Sequence, residues 1–393
     1  MYPARSNLEI PLSTAVIVDA VRTPIGRREG QLKDLHAVDL AALPLAALIS
    51  RTGIDPASVE DVIMGCVMQT GEQGLNIGRN ASLAAGLPHG VSGTTVDRQD
   101  ASSLQAIHFA AQGVMAGAYD CVIAAGVEAM TRIPLGVTAY QGPGQPFGPV
   151  VQDRYKLVPP GVSAELVATE LAMTREYVDG LAADSHARAN RAMTGGRFRD
   201  EIVPVEVGAA RLMSADELTD SGMDVKRLTL LQPAFDEAGV VTSGNSAQIS
   251  DGAAAVLVMS ERKAAELGLE ALATIQAASL VGVDPVTTLG GPAEATRRVL
   301  DRAGLTMGDV GLVEVNETFA TVVGAWLMEM GEEVWERTNV NGGAIALGHP
   351  MGASGARIFT TLVHELRRST SRYGLQVMDM GGGMASALIV ERL

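Results

Sequence analysis

The chain has 393 residues, of which 47% are apolar and 19% are charged, so it is long enough for two or three domains with large cores. The formal charge of −15 opposes non-specific binding of nucleic acid, because a polyanion would be repelled. No apolar run has the length that a bilayer requires, and residues 1–11 lack the pattern of a signal peptide. We therefore expect a cytoplasmic protein with neither a nucleic-acid nor a membrane partner.

The sequence contains two cysteines, and both lie in apolar runs. Cys66 falls within residues 62–68 and Cys121 within residues 121–125. Such positions are typical of buried strand residues that behave as small hydrophobic groups. A disulfide scaffold or a cysteine metal cluster is therefore not expected, and a reducing compartment fits this usage.

Short apolar runs alternate with helical periodicity along the first third of the chain. Strands are predicted at residues 14–19, 62–67, 94–96 and 120–125, and helices at residues 39–49, 76–83 and 101–117. Continuous apolar strands that alternate with helices indicate an α/β sheet covered on both faces.

The turn between the third strand and the third helix contains Asp100. An aspartate there can cap the helix, since Asp is among the best residues for that position. The same place can present a nucleophile, because free N–H groups and the helix dipole favour negative charge at a helix N-terminus. Local sequence leaves both interpretations open.

From about residue 131 the chain becomes richer in Gly, Pro and polar helices, which indicates an inserted domain. Strand-like sequence returns at residues 253–258. A repeat then follows, because residues 302–314 resemble residues 51–64, and residues 376–381 resemble residues 121–126. The repeat predicts two similar α/β halves whose turns meet, although amphipathic units can also resemble one another by chance.

Three turns in the second half are rich in glycine or polar residues. Glycine-dense turns let the backbone approach a ligand closely and leave N–H groups free to bind an oxyanion. Two of these turns also carry His349 and Asp379. The three turns occupy residues 315–320, 341–355 and 379–384.

These turns and three further motifs resemble the signatures of the thiolase family over nearly the whole chain. The motifs are Arg22-Thr23-Pro24-Ile25-Gly26, Gly126-Val127-Glu128-Ala129-Met130, Gly244-Asn245-Ser246-Ala247-Gln248-Ile249-Ser250-Asp251-Gly252, Asn316-Glu317-Thr318-Phe319-Ala320, Gly348-His349-Pro350-Met351-Gly352-Ala353-Ser354-Gly355 and Gly381-Gly382-Gly383-Met384. The resemblance implies an α/β fold with a duplicated, five-layered αβαβα architecture and an inserted loop domain that binds coenzyme A. It also implies a homodimer or homotetramer.

The resemblance divides the chain into three regions. The N-terminal half comprises residues 1–130 and 234–275, the inserted loop domain residues 131–233, and the C-terminal half residues 276–393. A coenzyme A ester is then the expected substrate, and no cofactor is expected to be bound permanently. Within the insertion, four basic residues are candidate partners of the coenzyme A phosphates: Arg197, Arg199, Lys226 and Arg227.

The resemblance also implies catalytic residues, and here this sequence departs from the family pattern. Asp100 stands where the family has a nucleophilic Cys, and Asp379 where it has an acid/base Cys. His349 and Asn316 match the family's His and Asn, and the backbone N–H groups of Asp100 and Gly381 match an oxyanion hole. At the coenzyme A loop, Ser246 is followed by Ala247, where many members have a Ser.

Two aspartates change the expected chemistry. A carboxylate is a poor nucleophile toward a carbonyl, whereas two carboxyl groups that share a site hold one proton between them. Asp100, Asp379 and His349 are therefore predicted to activate water for hydrolytic retro-Claisen cleavage of 3-oxoacyl-CoA or another β-dicarbonyl compound.

Other interpretations remain open at this point. The chain can be a catalytically inactive homologue that binds acyl-CoA, or an ordinary acetyl-CoA acyltransferase that carries engineered Cys-to-Asp changes. A metal site formed by Asp100, Asp379 and His349 is conceivable, because carboxylate and imidazole ligands suit Zn²⁺, but no metal is predicted.

The remaining histidines are predicted to have no role in the site. His108 is expected to pack within its helix, and four others are expected at the surface: His36, His89, His186 and His364. Glu317 is expected to support its turn.

Overall fold

A computed structural model describes residues 13–208, 211–217, 223–287 and 291–393. The expectation about a signal peptide concerns residues 1–11, which lie outside this part of the chain. Among the helices of the described ranges, none is long and apolar enough to cross a membrane.

The strands confirm the predicted positions and extend several of them. They are β1 (Ala15–Arg22), β2 (Gly26–Arg27), β3 (Asp61–Gly65), β4 (Ser92–Val96), β5 (Cys121–Ala129), β6 (Val205–Val207), β7 (Arg211–Met213), β8 (Ser250–Ser260), β9 (Ala273–Gly282), β10 (Val310–Val315), β11 (Tyr373–Met380) and β12 (Met384–Arg392).

The three helices predicted in the first third of the chain are α1, α2 and α3. The helices are α1 (Ala37–Thr52), α2 (Ile77–Ala84), α3 (Ser102–Met115), α4 (Val137–Tyr140), α5 (Pro149–Arg154), α6 (Pro160–Glu170), α7 (Arg175–Thr194), α8 (Val225–Leu228), α9 (Glu261–Glu266), α10 (Pro292–Ala303), α11 (Ala320–Met330), α12 (Ala344–Leu347) and α13 (Met351–Arg368).

The sheet has the strand order β10-β11-β12-β9-β1-β8-β5-β3-β4, with β2 beside β8. Its two ends repeat one arrangement, because β3 lies parallel to β5 and β8 antiparallel to β5, just as β10 lies parallel to β11 and β12 antiparallel to β11. The halves join where β1 pairs with β9. The predicted duplicated α/β fold is thus confirmed.

The layers follow from which helix covers which face. Apolar residues of α1 and α2 pack on the outer face of the first half, and those of α10 and α11 on the outer face of the second. Between the halves lie α3 and α13, whose buried side chains form a third cluster. They approach so closely that a Cβ at Gly355 would lie 2.3 Å from the backbone nitrogen of Leu104. Only glycine fits there.

The segment between β5 and β8 contains α4 to α8 and the hairpin of β6 and β7. Its helices α6 and α7 pack against α11 in the second half. It is also tied to the first half, since the buried guanidinium of Arg22 donates to Glu201 at 2.7 Å and to Asp216 at 2.7 and 3.0 Å. The exact domain boundaries remain a prediction.

Burial agrees with most expectations for the cysteines and histidines. Cys66 and Cys121 are buried, as is His108, while His36 and His89 are exposed.

Two histidines were wrongly predicted to lie at the surface. His186 and His364 are buried, and His364 Nε2 lies 2.9 Å from the carbonyl oxygen of Ala20. Both lie in long helices with many polar residues, so the sequence does not make evident which face of the helix packs inward.

Candidate active site

The candidate site lies between the two halves, where turns follow the carboxyl ends of parallel strands. Asp100 follows β4, Asn316 follows β10, and Asp379 is next to last in β11. His349 comes just before α13. Strand ends of this kind are where α/β folds form their ligand sites.

Asp100 does not cap its helix, so of the two interpretations left open by the sequence the cap is wrong. The cap position of α3 is Ala101, and it makes no side-chain cap hydrogen bond. The preceding residue, Gln99, has a φ of +50°, a left-handed conformation that is uncommon for a residue with a Cβ. The turn directs the Asp100 side chain away from the first turn of α3 and into the space between the halves.

There, Asp100 forms a pair with His349. Nε2 of His349 lies 2.9 Å from Asp100 Oδ1, and Nδ1 lies 2.7 Å from the hydroxyl of Ser354. Ser354 donates its single hydrogen to the carbonyl oxygen of Pro350 at 3.0 Å, so it accepts from His349 Nδ1. The two ring nitrogens of His349 are thus both hydrogen-bonded, Nδ1 to Ser354 and Nε2 to Asp100.

The other oxygen of Asp100 occupies the predicted oxyanion hole. The Gly381 amide donates to Asp100 Oδ2 at 3.2 Å, and the Asp100 amide also faces the carboxylate. Burial opposes ionisation, but the hydrogen bond and charge of His349, together with these amides, outweigh it and lower the pKa of Asp100. Asp100 is thus an anion held by His349 and by backbone amides, among them that of Gly381.

Asp379 has the opposite electrostatic character. It is 1% exposed, and burial followed by repulsion from Asp100 raises the pKa of Asp379 to about 7. Its Oδ1 accepts from Thr318 at 2.8 Å and from Asn316 at 3.2 Å, whereas its buried Oδ2 has no hydrogen-bond partner among the described residues. Near neutral pH Asp379 can therefore both hold and release a proton.

The raised pKa of Asp379 predicts a pH-dependent stability difference between Asp379→Asn and the wild type. The folded protein holds a proton that the unfolded chain, with an ordinary pKa of 3.8, releases at lower pH. The stabilisation of the folded state by the proton on Asp379 is therefore complete below pH 4 and is lost as pH rises through about 7. The variant should gain relative stability over this range, at about 1.4 kcal/mol per pH unit.

Denaturant unfolding at pH 4, 6 and 8 measures this difference. Asp61→Asn is the matched control, because Asp61 is also buried and hydrogen-bonded but lies at the start of β3, beside Tyr119. An Asp379→Asn difference that stays constant with pH would show that Asp379 titrates normally.

Two further buried carboxylates hold the turns in place. Glu317 accepts from Ser185 at 2.6 Å, Asn339 at 2.8 Å and the Ile345 amide at 3.1 Å, so it supports its turn as predicted.

Glu128 accepts from the amides of Val67, Met68 and Gly352 at 2.9 to 3.1 Å. It joins the strand ends of the first half to the start of α13, a role that sequence reasoning missed although the residue lies in a recognised motif.

The predicted coenzyme A loop lies beside the site. The Ala247 amide donates to the Thr318 carbonyl at 2.9 Å, and the His349 amide donates to the Gln248 carbonyl at 3.0 Å. Ser246 donates to the Thr242 carbonyl at 2.7 Å. The loop that carries Ser246 and Ala247 is thus hydrogen-bonded to His349 and to Thr318, which in turn contacts Asp379.

The four predicted phosphate-binding residues fall in two places. Lys226 and Arg227 are exposed on α8. The next residue of that helix, Leu228, packs against Gly244 so closely that a Cβ on Gly244 would lie 2.5 Å from the Leu228 side chain. Helix α8 therefore borders the loop of Ser246.

Arg197 and Arg199 lie elsewhere, on the turn after α7. Arg197 pairs with Glu365 at 3.4 Å. Glu365 lies about 21 Å along α13 from Met351, the first residue of that helix. Exposed Arg199 shares this turn, so the structure does not bring this pair to the site.

Neither cysteine is available to replace the aspartates. Burial, and then the charge of Glu128, raises the pKa of Cys66, and burial raises the pKa of Cys121 to about 12. In the part of the chain that the structure describes, no group of three or more His, Cys, Asp or Glu side chains is arranged to hold a metal ion.

Comparisons with known proteins agree with this fold. The family profile described as thiolase, N-terminal domain matches residues 15–262, and that described as thiolase, C-terminal domain matches residues 269–392. The chain therefore belongs to the thiolase family.

Particular relatives match nearly the whole chain. A steroid 3-ketoacyl-CoA thiolase of Mycobacterium tuberculosis is 44% identical over 97% of this chain and 95% of its own length. A 3-ketoacyl-CoA thiolase of Photobacterium profundum is 42% identical over 97% and 100%, respectively. The crystal structure of an acetyl-CoA acetyltransferase from Bacillus anthracis superposes with a TM-score of 0.89 at 38% identity, covering 98% of this chain and 100% of that one.

Proposed function

We propose that this protein cleaves the carbon–carbon bond of 3-oxoacyl-CoA esters, or of related β-dicarbonyl compounds, with water as the acyl acceptor. The observation that carries the proposal is the buried pair of Asp100 and Asp379, whose surroundings shift their pKa values in opposite directions. Such a pair supplies a base and an acid at the same pH. The names of the relatives support 3-oxoacyl-CoA as the substrate class.

The first step is binding. A carbonyl oxygen of the substrate replaces Asp100 Oδ2 as the acceptor of the hydrogen bond from the Gly381 amide. Oδ2 is then free to accept a proton. His349 stays bonded to Oδ1 and keeps the carboxylate oriented.

Chemistry then proceeds with water. Asp100 accepts a proton from water as the water oxygen bonds to C3 of the substrate. The C2–C3 bond breaks, its electron pair moves to C2, and Asp379 gives its proton to C2. The products are a carboxylic acid and a CoA ester shortened by that acyl group, and the proton on Asp100 returns through solvent to Asp379.

A second candidate is transfer of the acyl group to free coenzyme A, which the names of the relatives support. It would require acyl-Asp100, a mixed anhydride that water readily destroys, so the aspartates favour hydrolysis. We also propose, from family membership, that the protein is a cytoplasmic homodimer or homotetramer, with the loop of Ser246 and Ala247 and the basic residues Lys226 and Arg227 beside bound coenzyme A.

Incubation with 3-oxoacyl-CoAs, with and without free coenzyme A, tests the proposal. We expect free carboxylic acid to form at the same rate in both reactions. A strict requirement for coenzyme A would show acyl transfer instead. Binding without turnover of any CoA ester or β-diketone would identify an inactive acyl-CoA-binding homologue.

A further inference from the structure

The turn after β10 brings a hydroxyl and an amide to the same oxygen of Asp379. Asn316 Nδ2 lies 2.7 Å from Thr318 Oγ1 and 3.2 Å from Asp379 Oδ1, and Thr318 Oγ1 lies 2.8 Å from Asp379 Oδ1. The three side chains form a closed set of hydrogen bonds. The parallel pairing of Val315 with Val377 places these residues side by side.

The donors in this set are fixed by the hydrogen count. The amide nitrogen of Asn316 can only donate, so it is the donor to Thr318 Oγ1 at 2.7 Å and to Asp379 Oδ1 at 3.2 Å. Because Thr318 accepts from Asn316, its single hydrogen points to Asp379 Oδ1. Oδ1 thus accepts two hydrogen bonds and has no room for a proton, whereas Oδ2 has no protein partner.

We propose that Thr318 is a positioning residue that, with Asn316, keeps the proton of Asp379 on Oδ2, the oxygen free to face a substrate. Thr318 is partly exposed, and its carbonyl oxygen accepts from the Ala247 amide, so the residue lies where the loop of Ser246 and Ala247 meets the site. The destination of the proton, C2 of the substrate, rests on the proposed function; its location on Oδ2 does not.

The charged groups that act on Asp379 are Asp100, which raises its pKa, and His349, which lowers it. The hydrogen bonds from Thr318 and Asn316 also favour the carboxylate and lower the pKa. Loss of the Thr318 hydroxyl should therefore raise the pKa of Asp379 above about 7.

Infrared difference spectroscopy on the whole protein tests this proposal without turnover. The C=O stretch of neutral Asp379 is identified as the band that Asp379→Asn lacks. In Thr318→Val this band should move to higher frequency, because the C=O oxygen loses a hydrogen bond, and its titration midpoint should rise by about one pH unit.

Thr318→Ser keeps the hydroxyl and should restore both values, and it serves as the folded variant if Thr318→Val does not fold. Thr52→Val is the matched control, since Thr52 is also partly exposed but bonds to a carbonyl of α1; it should change neither value. An unchanged or lowered stretch in Thr318→Val, or in Thr318→Ala if needed, would place the proton on Oδ1 and overturn the proposal. Absence of hydrolysis would leave these readouts intact, so the two proposals fail separately.

Discussion

Asp379→Asn is expected to lower kcat for cleavage of 3-oxoacyl-CoA about 1,000-fold, within the range that a positioned acid or base contributes. Asparagine keeps the shape of the side chain but cannot give a proton to C2. Because Asp379 is buried and its Oδ1 contacts are retained by the amide oxygen, the pocket should keep its form. Binding of a non-cleavable CoA thioether should change by less than about threefold.

Steady-state kinetics and calorimetric titration measure the two quantities. Asp61→Asn should leave both unchanged, since Asp61 is a buried carboxylate at the start of β3, whereas the site lies at the carboxyl ends of the strands. If Asp379→Asn retains more than a tenth of the wild-type kcat, another group protonates C2.

The second expected result concerns the nucleophile. The double variant Asp100→Cys, Asp379→Cys should acquire coenzyme-A-dependent thiolysis at least about 1,000-fold faster than the wild type, because loss of a nucleophile costs at least as much in other acyl-transfer enzymes. A thiolate holds the acyl group as a thioester that coenzyme A can accept. His349 already lies 2.9 Å from the side chain at position 100, and Gly381 supplies an amide.

Product analysis with and without free coenzyme A distinguishes the two reactions. Recovery of thiolysis is also the result expected if the aspartates are engineered replacements, but then the wild type should not hydrolyse the substrate. Asp100→Cys alone is the control, because it restores the nucleophile and keeps Asp379. Equal thiolysis by the wild type and the double variant would show that the aspartates do not alter the reaction.

The α/β sheet and its two similar halves were predictable from local apolar runs and an internal repeat, whereas the five-layered arrangement was implied by the resemblance to the thiolase family. Residues 51–64 and 302–314 resemble each other, and each passes from a helix end into a strand, β3 or β10, that occupies the same place in its half. Apolar strands and turns depend on neighbours in sequence, so the sequence reports them directly.

The contacts of the site depend on tertiary structure instead. Asp100 looked like a helix cap because its partner, His349, is 249 positions away. Thr318 lay in a recognised motif, yet its role required the pairing of β10 with β11, which brings it to Asp379. His364 was misjudged because the polar end of α13 conceals an inward face.

Cleavage of a 3-oxoacyl-CoA in ¹⁸O-labelled water, without free coenzyme A, tests the central claim that water replaces a thiol as the acyl acceptor. Hydrolysis predicts one ¹⁸O atom in the released carboxylic acid and none in the CoA ester that remains. Formation of acyl-CoA only when free coenzyme A is added, with no ¹⁸O in any acid, would contradict it.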